Sequence, residues 1–493
     1  MDLNYTPPVE TTGGKIRGYY QKDGLMVFKG VPYAEAPVGE KRWKPAERLR
    51  YREGVLDCVA FGHSAWQNPL DDYSKQIWTQ EFLIDNRDYS EDCLTLNIWT
   101  PEGQTGMPVI LYFYGGGFVS GGSSCEIYDG TACAENGVIY ISFTHREGVF
   151  GWCANDDLRR ESDKGLAGNY MLSDAIAALE WIRDNIERFG GDPKNVTIWG
   201  QSAGASEVNL LSVSPVAKDL FARTLSMGYN SYYMKEWRTL NEICAVGNRL
   251  EQEFGGSLQK MREVPPQEYL PHFTDSIPAI DGYYVDGQFC DCVKKGYGAD
   301  KPFMMGVVAE DGQIMKICRM IFACADIAEF RALLKKLYPD SAEEIEKKYV
   351  ADEKNFKASI RPMARDILLK GMLDFAKARS SAAPAGDTYL YMFRHVMPGP
   401  LSERFGAFHS FEVPYFTNHL SDLRRDYWTD TDREMGVRMN AELVHYAKTG
   451  KPLSGEFKPS DGGNIYLIDS DRQFNEIITD DRIEELTRLF GQR

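Results

Sequence analysis

Residues 195–211 read NVTIWGQSAGASEVNLL, and one serine in that run stands where a nucleophile could stand. Gly200-Gln201-Ser202-Ala203-Gly204 fits G-x-S-x-G, the pattern of a sharp strand-to-helix turn that exposes a serine hydroxyl above a sheet. The flanks agree with such a turn. Val196 to Trp199 is a short apolar run of strand-forming residues, and Ala203 to Leu211 can start a helix. So short a pattern also arises by chance, and a small residue in a tight turn is the plain alternative. A free serine hydroxyl is a weak nucleophile, so the chemistry needs a base within hydrogen-bond reach and a third group to orient that base.

For an elbow serine the expected chain order is serine, then acid, then histidine, each after a later strand. His395, His409, His419 and His445 lie far enough along. His395 closes the apolar run TYLYMF, and His445 sits in the amphipathic stretch MNAELVHYAKTG, where a surface histidine is ordinary. His409 lies in FGAFHSFEVPYF, a glycine-containing loop shortly after the 388 run, and is the expected base. For the acid, PFMMGVVAEDGQ ends a strand-like run with Glu310, Asp311 and Gly312. Asp-Gly is a common turn signal, yet the carboxyl end of a strand is also where α/β sheets carry functional groups. The third requirement is a set of donors for the developing oxyanion. YFYGGGFVSGG follows a strand-like run, and its glycines let backbone approach a ligand closely. A dinucleotide phosphate is the competing ligand for such a loop, but the G-x-G-x-x-G spacing fails after Gly115, Gly116 and Gly117.

The elements that must position these residues form an alternating pattern. Runs beginning at 108, 137, 196, 222, 302, 388 and 464 are apolar and rich in β-branched or aromatic residues. Helical patterns lie between them, such as LSDAIAALEWIRDNIERFG from 172, with Ala175, Leu179, Ile182 and Ile186 on one face. Alternating strands and helices predict an α/β fold with a mostly parallel, doubly wound sheet. A helical block from about 321 to 383 interrupts the alternation, so the expectation is one domain spanning 1–493 with N-terminal and helical insertions. The net charge of −16 argues against a nucleic-acid partner, whose phosphates call for a basic footprint. No run of eighteen apolar residues suggests a membrane span, and the start MDLNYTPPVE lacks the basic and apolar regions of a signal peptide. A cytoplasmic protein is the expectation, unless a signal was removed. The ten cysteines follow no disulfide or metal spacing and read as buried thiols.

With these pieces placed, the chain resembles the type-B carboxylesterases, the α/β-hydrolase family that includes cholinesterases and bacterial para-nitrobenzyl-type esterases. FKGVPYAEAPVGEKRWKPAE from 28, SEDCLTLNIWTP from 90, YGGGF from 114, FGGDPKNVTIWGQSAGAS from 189 and GAFHSFEVPYF from 406 match family segments in order. The resemblance implies Ser202 as nucleophile, His409 as base, and backbone N–H groups of Gly116, Gly117 and Ala203 as the oxyanion hole. Asp311 stands where the family commonly has a glutamate before a glycine, with Glu310 one residue earlier. Arg42 and Glu91 occupy the positions of a family salt bridge. The family partner of Cys93 falls near Ala65-Trp66, which leaves Cys93 unpaired unless Cys58 substitutes. Phe82 and Leu83 stand about where cholinesterases keep a choline-binding tryptophan, with Trp78 out of step.

The implied activity is serine-dependent hydrolysis of small or medium carboxylic esters, without metal or organic cofactor. Esters of phenolic acids and acetylated carbohydrates are alternative substrates, and Trp78, Phe82, Phe118, Tyr415 and Phe416 are candidate pocket residues. Oligomeric state is not implied. A non-catalytic, cholinesterase-like binding protein is the competing class, in which a triad residue is typically lost.

Overall fold

The seven apolar runs become seven parallel strands because both faces of a parallel sheet are covered by other elements, so the apolar run of each strand is buried along almost its whole length. The computed structural model describes residues 3–491 except 23, 69–87, 230–236, 276, 312–315, 400–401, 403–404 and 421–425. An eleven-stranded sheet dominates. Its strands in chain order are β1 (Tyr19–Lys22), β2 (Leu25–Pro32), β3 (Thr95–Pro101), β4 (Met107–Phe113), β5 (Ile139–Phe143) and β6 (Gly191–Gln201). They continue as β7 (Arg223–Met227), β8 (Phe303–Val308), β9 (Thr388–Phe393), β10 (Asn464–Ile468) and β11 (Gln473–Ile477). Across the sheet the order is β11-β10-β9-β8-β7-β6-β4-β5-β3-β2-β1. From β10 to β5 the strands run parallel, and both margins are antiparallel. A separate three-stranded sheet joins Val9–Thr11, Gly14–Arg17 and Arg52–Asp57.

Alternate residues of each strand feed two cores. Val109, Leu111 and Phe113 join one with Ile139, Ile141 and Ile198, and there Ala175, Leu179, Ile182 and Ile186 pack onto the sheet. The first three belong to α1 (Tyr170–Asn185), and Ile186 opens the 3-10 turn that follows it. Ile110, Tyr112 and Tyr140 point to the other face, with Trp199 and Leu225. That face is covered by Met435, Met439 and Leu443 of α4 (Asp430–Thr449). A capping box starts α4, with Thr429 and Asp432 bonding each other's backbone N–H, and Gly450 ends it at φ +74°. Between β8 and β9 lie the helices Lys316–Ala323, Ile327–Leu337, Ala342–Tyr349 and α3 (Ile360–Ser380). Phe375 of α3 meets Phe303 of β8 edge-on at 4.9 Å between ring centres. Nine cysteines among the described residues are buried thiols, Cys58 and Cys93 included. No helix among the described residues is long and apolar enough to cross a membrane.

The strand order creates the place for a site. After β4 the chain moves outward to β5, whereas β6 returns to the opposite flank of β4 and leads on to β7. Loops leaving the carboxyl ends of β4 and β6 therefore diverge and leave a crevice between them, which is where open α/β sheets bind ligands. These are the loops that carry Gly115–Gly117 and Ser202.

One buried ion pair fastens the loop after β5 to α1. The Arg146 guanidinium donates to both oxygens of Asp174, at 2.9 Å and 2.5 Å, and its Nη1 donates to Lys44 O at 2.8 Å. Both side chains are almost fully buried, so removing one charge strands the other. Asp174→Asn is expected to cost about 3–5 kcal/mol of stability, read from urea unfolding. A loss below about 1 kcal/mol would show the pair to be dispensable.

Candidate active site

Ser202 sits between β6 and α2 (Ala203–Val213) at φ +56° and ψ −123°. A non-glycine residue held there stores about 1–3 kcal/mol of strain, so its surroundings must hold it firmly. They do so through Ser202 N–H, which donates to Met227 O at 2.9 Å, and Ser202 O, which accepts from Ser206 N–H at 3.1 Å. The glycines on either side permit the turn. A Cβ on Gly200 would fall 2.1 Å from Gly204 O, and one on Gly204 would fall 2.2 Å from Phe113 O at the end of β4. The result is a serine hydroxyl at the amino end of a helix, 7% exposed.

His409 meets it from the loop after β9. Ser202 Oγ–H donates to His409 Nε2 at 2.8 Å, and His409 Nδ1–H donates to Asp311 Oδ1. The histidine and acid loops are tied by backbone, because Glu310 N–H donates to Ala407 O at 2.9 Å. Adjacent residues of a turn point different ways, and of the two carboxylates Asp311 is the one that meets the imidazole. Asp311 turns inward at 2% exposure, whereas Glu310 turns to α3 and accepts from Arg365 Nη2 at 2.6 Å. Two of the other candidate histidines are engaged elsewhere: His395 pairs with Asp432 at 2.8 Å, and His419 lies 3.7 Å from Glu126.

The glycine loop after β4 lies against Ser202, for a Cβ on Gly115 would fall 2.7 Å from the Ser202 Cβ. Gly116 lies at φ +143°, and a Cβ on it would fall 1.6 Å from Ser120 O, so no side chain fits. Gln67 grips the loop's far end, its Nε2 donating to Gly121 O at 2.7 Å and its Oε1 accepting from Gly121 N–H at 3.0 Å. Phe118 O accepts from Gly148 N–H at 2.8 Å. Among the described residues, the N–H groups of Gly116, Gly117 and Ala203 have no hydrogen-bond partner within the protein. For Ala203 this follows from its place at the first turn of α2, where the helix leaves N–H groups unpaired and carries partial positive charge. The three amides are donors in search of an acceptor.

Of the candidate pocket residues, Phe118 packs against Trp152 and Trp237 at ring distances of 5.3 Å and 6.3 Å, forming an aromatic wall beside the glycine loop. Tyr415 and Phe416 are core instead. Tyr415 donates to Asp432 at 2.7 Å, and Phe416 stacks on Tyr391. Trp78, Phe82, Leu83 and Gly312 lie outside the described residues. Arg42 and Glu91 form the salt bridge that the resemblance implied, at 2.6 Å.

Sequence reasoning passed over a polar cluster beneath the site. Tyr114 stacks on His145 with ring centres 4.3 Å apart, and His145 lies 3.5 Å from both Glu147 and Glu207. Glu207 belongs to α2, little more than a turn beyond Ser202. Burial pushes both carboxyls well above their ordinary range and brings His145 down to about 3. Each of these shifts favours the uncharged form, as removal from water does. No simple periodicity signals such a cluster; only the charged letters inside apolar stretches hint at it.

By comparison with known proteins, the chain is similar to esterases. Residues 5–482 match the family model described as the carboxylesterase family. The fumonisin B1 esterase of Sphingopyxis macrogoltabida is 30% identical over 466 residues, covering 90% of this chain and 82% of that protein. The para-nitrobenzyl esterase of Bacillus subtilis (strain 168) is 28% identical over 467 residues, covering 90% of each chain.

Two outcomes follow from the geometry. Asp311→Asn should lower kcat for p-nitrophenyl acetate by about 10⁴-fold, while Glu310→Gln should cost no more than about tenfold. The reverse ranking in steady-state kinetics would assign the imidazole to Glu310. Glu207 concerns stability. Its native carboxyl keeps a proton that the unfolded chain releases above about pH 4.5. The native state then binds more protons than the unfolded state, so stability falls as pH rises through that window. Glu207→Gln should therefore be the more stable protein, its advantage in urea unfolding growing by about 1.4 kcal/mol per pH unit until the native carboxyl titrates. A gap that stays constant with pH would contradict the neutral carboxyl.

Proposed function

The chain belongs to the carboxylesterase family and is a carboxylic-ester hydrolase, and on that premise we propose that Ser202, His409 and Asp311 carry the reaction through an acyl-enzyme. The observation that carries the proposal is the pair of hydrogen bonds running from Ser202 through His409 to Asp311. His409 Nε2 takes the Ser202 proton as Oγ attacks the ester carbonyl carbon. Asp311 holds the ring in the tautomer that leaves Nε2 free, and stabilises the imidazolium that forms. The carbonyl oxygen becomes an oxyanion and is met by the amides of Gly116, Gly117 and Ala203. Each such donor contributes about two to three decades in rate. The tetrahedral species collapses, the C–O bond to the alcohol breaks, and His409 returns the proton to the departing oxygen. Water, deprotonated by the same ring, then releases the acid and restores Ser202.

For substrate we propose uncharged esters of small or medium size. Phe118, directly after the glycine loop and packed edge-on with Trp152 and Trp237, supports an apolar group there, since this aromatic cluster brings no charge. The test is hydrolysis by the whole chain of a panel spanning acyl length, feruloyl esters and acetylated oligosaccharides, with Ser202→Ala alongside. Wild type should favour the short and medium acyl esters, and Ser202→Ala should lose about a millionfold in kcat. A clear preference for acetylated oligosaccharides would overturn the substrate class, and a folded Ser202→Ala protein that keeps its rate would overturn the mechanism.

A further inference from the structure

Gln201 precedes the serine, and its side chain is almost fully buried at 1% exposure. Its Nε2 donates to Ser410 Oγ at 2.6 Å and lies 3.3 Å from His409 Nε2. Ser410 directly follows His409, and at φ +76° it holds a left-handed backbone that a residue with a side chain seldom adopts. Gly228 closes the remaining flank, for a Cβ there would stand 3.2 Å from both Gln201 Nε2 and His409 Cε1. Gly115 gives the far end of the amide its room, since a Cβ there would fall 2.6 Å from Gln201 Oε1. The amide, the Ser410 hydroxyl and the imidazole thus form one packed unit with little freedom.

We propose that Gln201 is a positioning residue for the hydrolysis: its amide clamps Ser410 and faces His409 Nε2, fixing the imidazole toward Ser202 without placing a charge beside it. The proposal rests on the reading of Ser202 and His409 given above. An unprotonated imidazole nitrogen has one in-plane lone pair, and Ser202 Oγ at 2.8 Å is nearer to it than the amide at 3.3 Å. The amide therefore does not displace the serine proton; its first hydrogen is held by Ser410. Once Nε2 carries the transferred proton, the amide's second N–H meets another N–H, an unfavourable contact that favours passing the proton to the leaving group. A carboxylate in the same place would do the opposite and hold the proton on the ring. The strained turn at Ser410 has a partner for the same reason: its hydroxyl anchors the peptide that follows the base.

The test uses four variants of the full chain, Gln201→Glu, Gln201→Met, Ser410→Gly and the double Gln201→Met/Ser410→Gly, each checked for folding by circular dichroism. Steady-state kinetics with p-nitrophenyl acetate are followed from about pH 5 to about pH 9, across the range where histidine titrates. Gln201→Glu should move the low-pH limb of kcat/KM upward by about one pH unit, because the carboxylate would stand beside His409 Nε2. Gln201→Met should lower kcat about tenfold with KM changed less than about twofold and the limb unmoved. Because clamp and hydroxyl act as one unit, the double variant should be no slower than Gln201→Met alone. The proposal is overturned if Gln201→Glu leaves the limb in place, if Gln201→Met keeps the wild-type kcat, or if the two single losses simply multiply. Ser202→Ala measured beside them separates the premise: retained turnover there removes the underlying reading, whereas its loss with unaffected Gln201 variants removes only this inference.

Discussion

A hydrogen bond of 2.8 Å joins Ser202 to His409, side chains separated by 207 positions in the chain, and much of the architecture can be understood as holding that distance. Neither residue could keep its place alone. Ser202 is pinned in a strained conformation because α2 and the end of β7 both bond its backbone. His409 hangs from a loop, and loops are mobile unless tied. It is tied three ways: by Asp311 on one nitrogen, by the backbone bond between Glu310 and Ala407, and by the close pack of Gln201, Ser410 and Gly228. Strand ends supply rigidity, and loops supply reach.

Electrostatics follows the same logic. The layer beneath the site is buried, and that burial pushes the carboxyls of Glu147 and Glu207 well above their ordinary range, toward the uncharged form. Glu412, three residues past His409, is treated alike: burial pushes its carboxyl well above the usual range, and the nearby Asp311 charge adds to the push. Charge that must be kept is paired, as Arg146 is with Asp174 and Arg42 with Glu91. Asp311 accepts from His409 Nδ1–H and so fixes the orientation of the ring.

Much of this was legible in the chain. The seven parallel strands announce themselves as continuous apolar runs because both their faces are buried, and α1 does so by its apolar stripe. The antiparallel margins do not. β3 carries Asn97, a buried polar residue whose amide is bonded by Ser123 and Ser142, and β11 is half exposed, so neither has a clean pattern. Ser202 and the glycine loop were readable because their chemistry demands particular residues at fixed spacing. The choice of Asp311 over Glu310 rested on the resemblance; in the fold, Arg365 draws Glu310 away, a contact made by a helix more than fifty positions later. Gln201 was visible only as the variable letter of the pentapeptide, and its role depends on Ser410 across the fold. Tyr415 and Phe416 look like pocket residues by type, but their burial against Asp432 and Tyr391 is a tertiary fact.

The central claim is that Ser202 becomes covalently acylated. Mixing the protein with p-nitrophenyl acetate, quenching in acid within the first turnovers and mapping the peptides by mass spectrometry tests it directly. The account predicts one acetyl group per chain, on the peptide spanning Gly200 to Gly204 and localised to Ser202 by fragmentation. Continued turnover with Ser202 unmodified, or with the acetyl group on another residue that turns over at the catalytic rate, would contradict it.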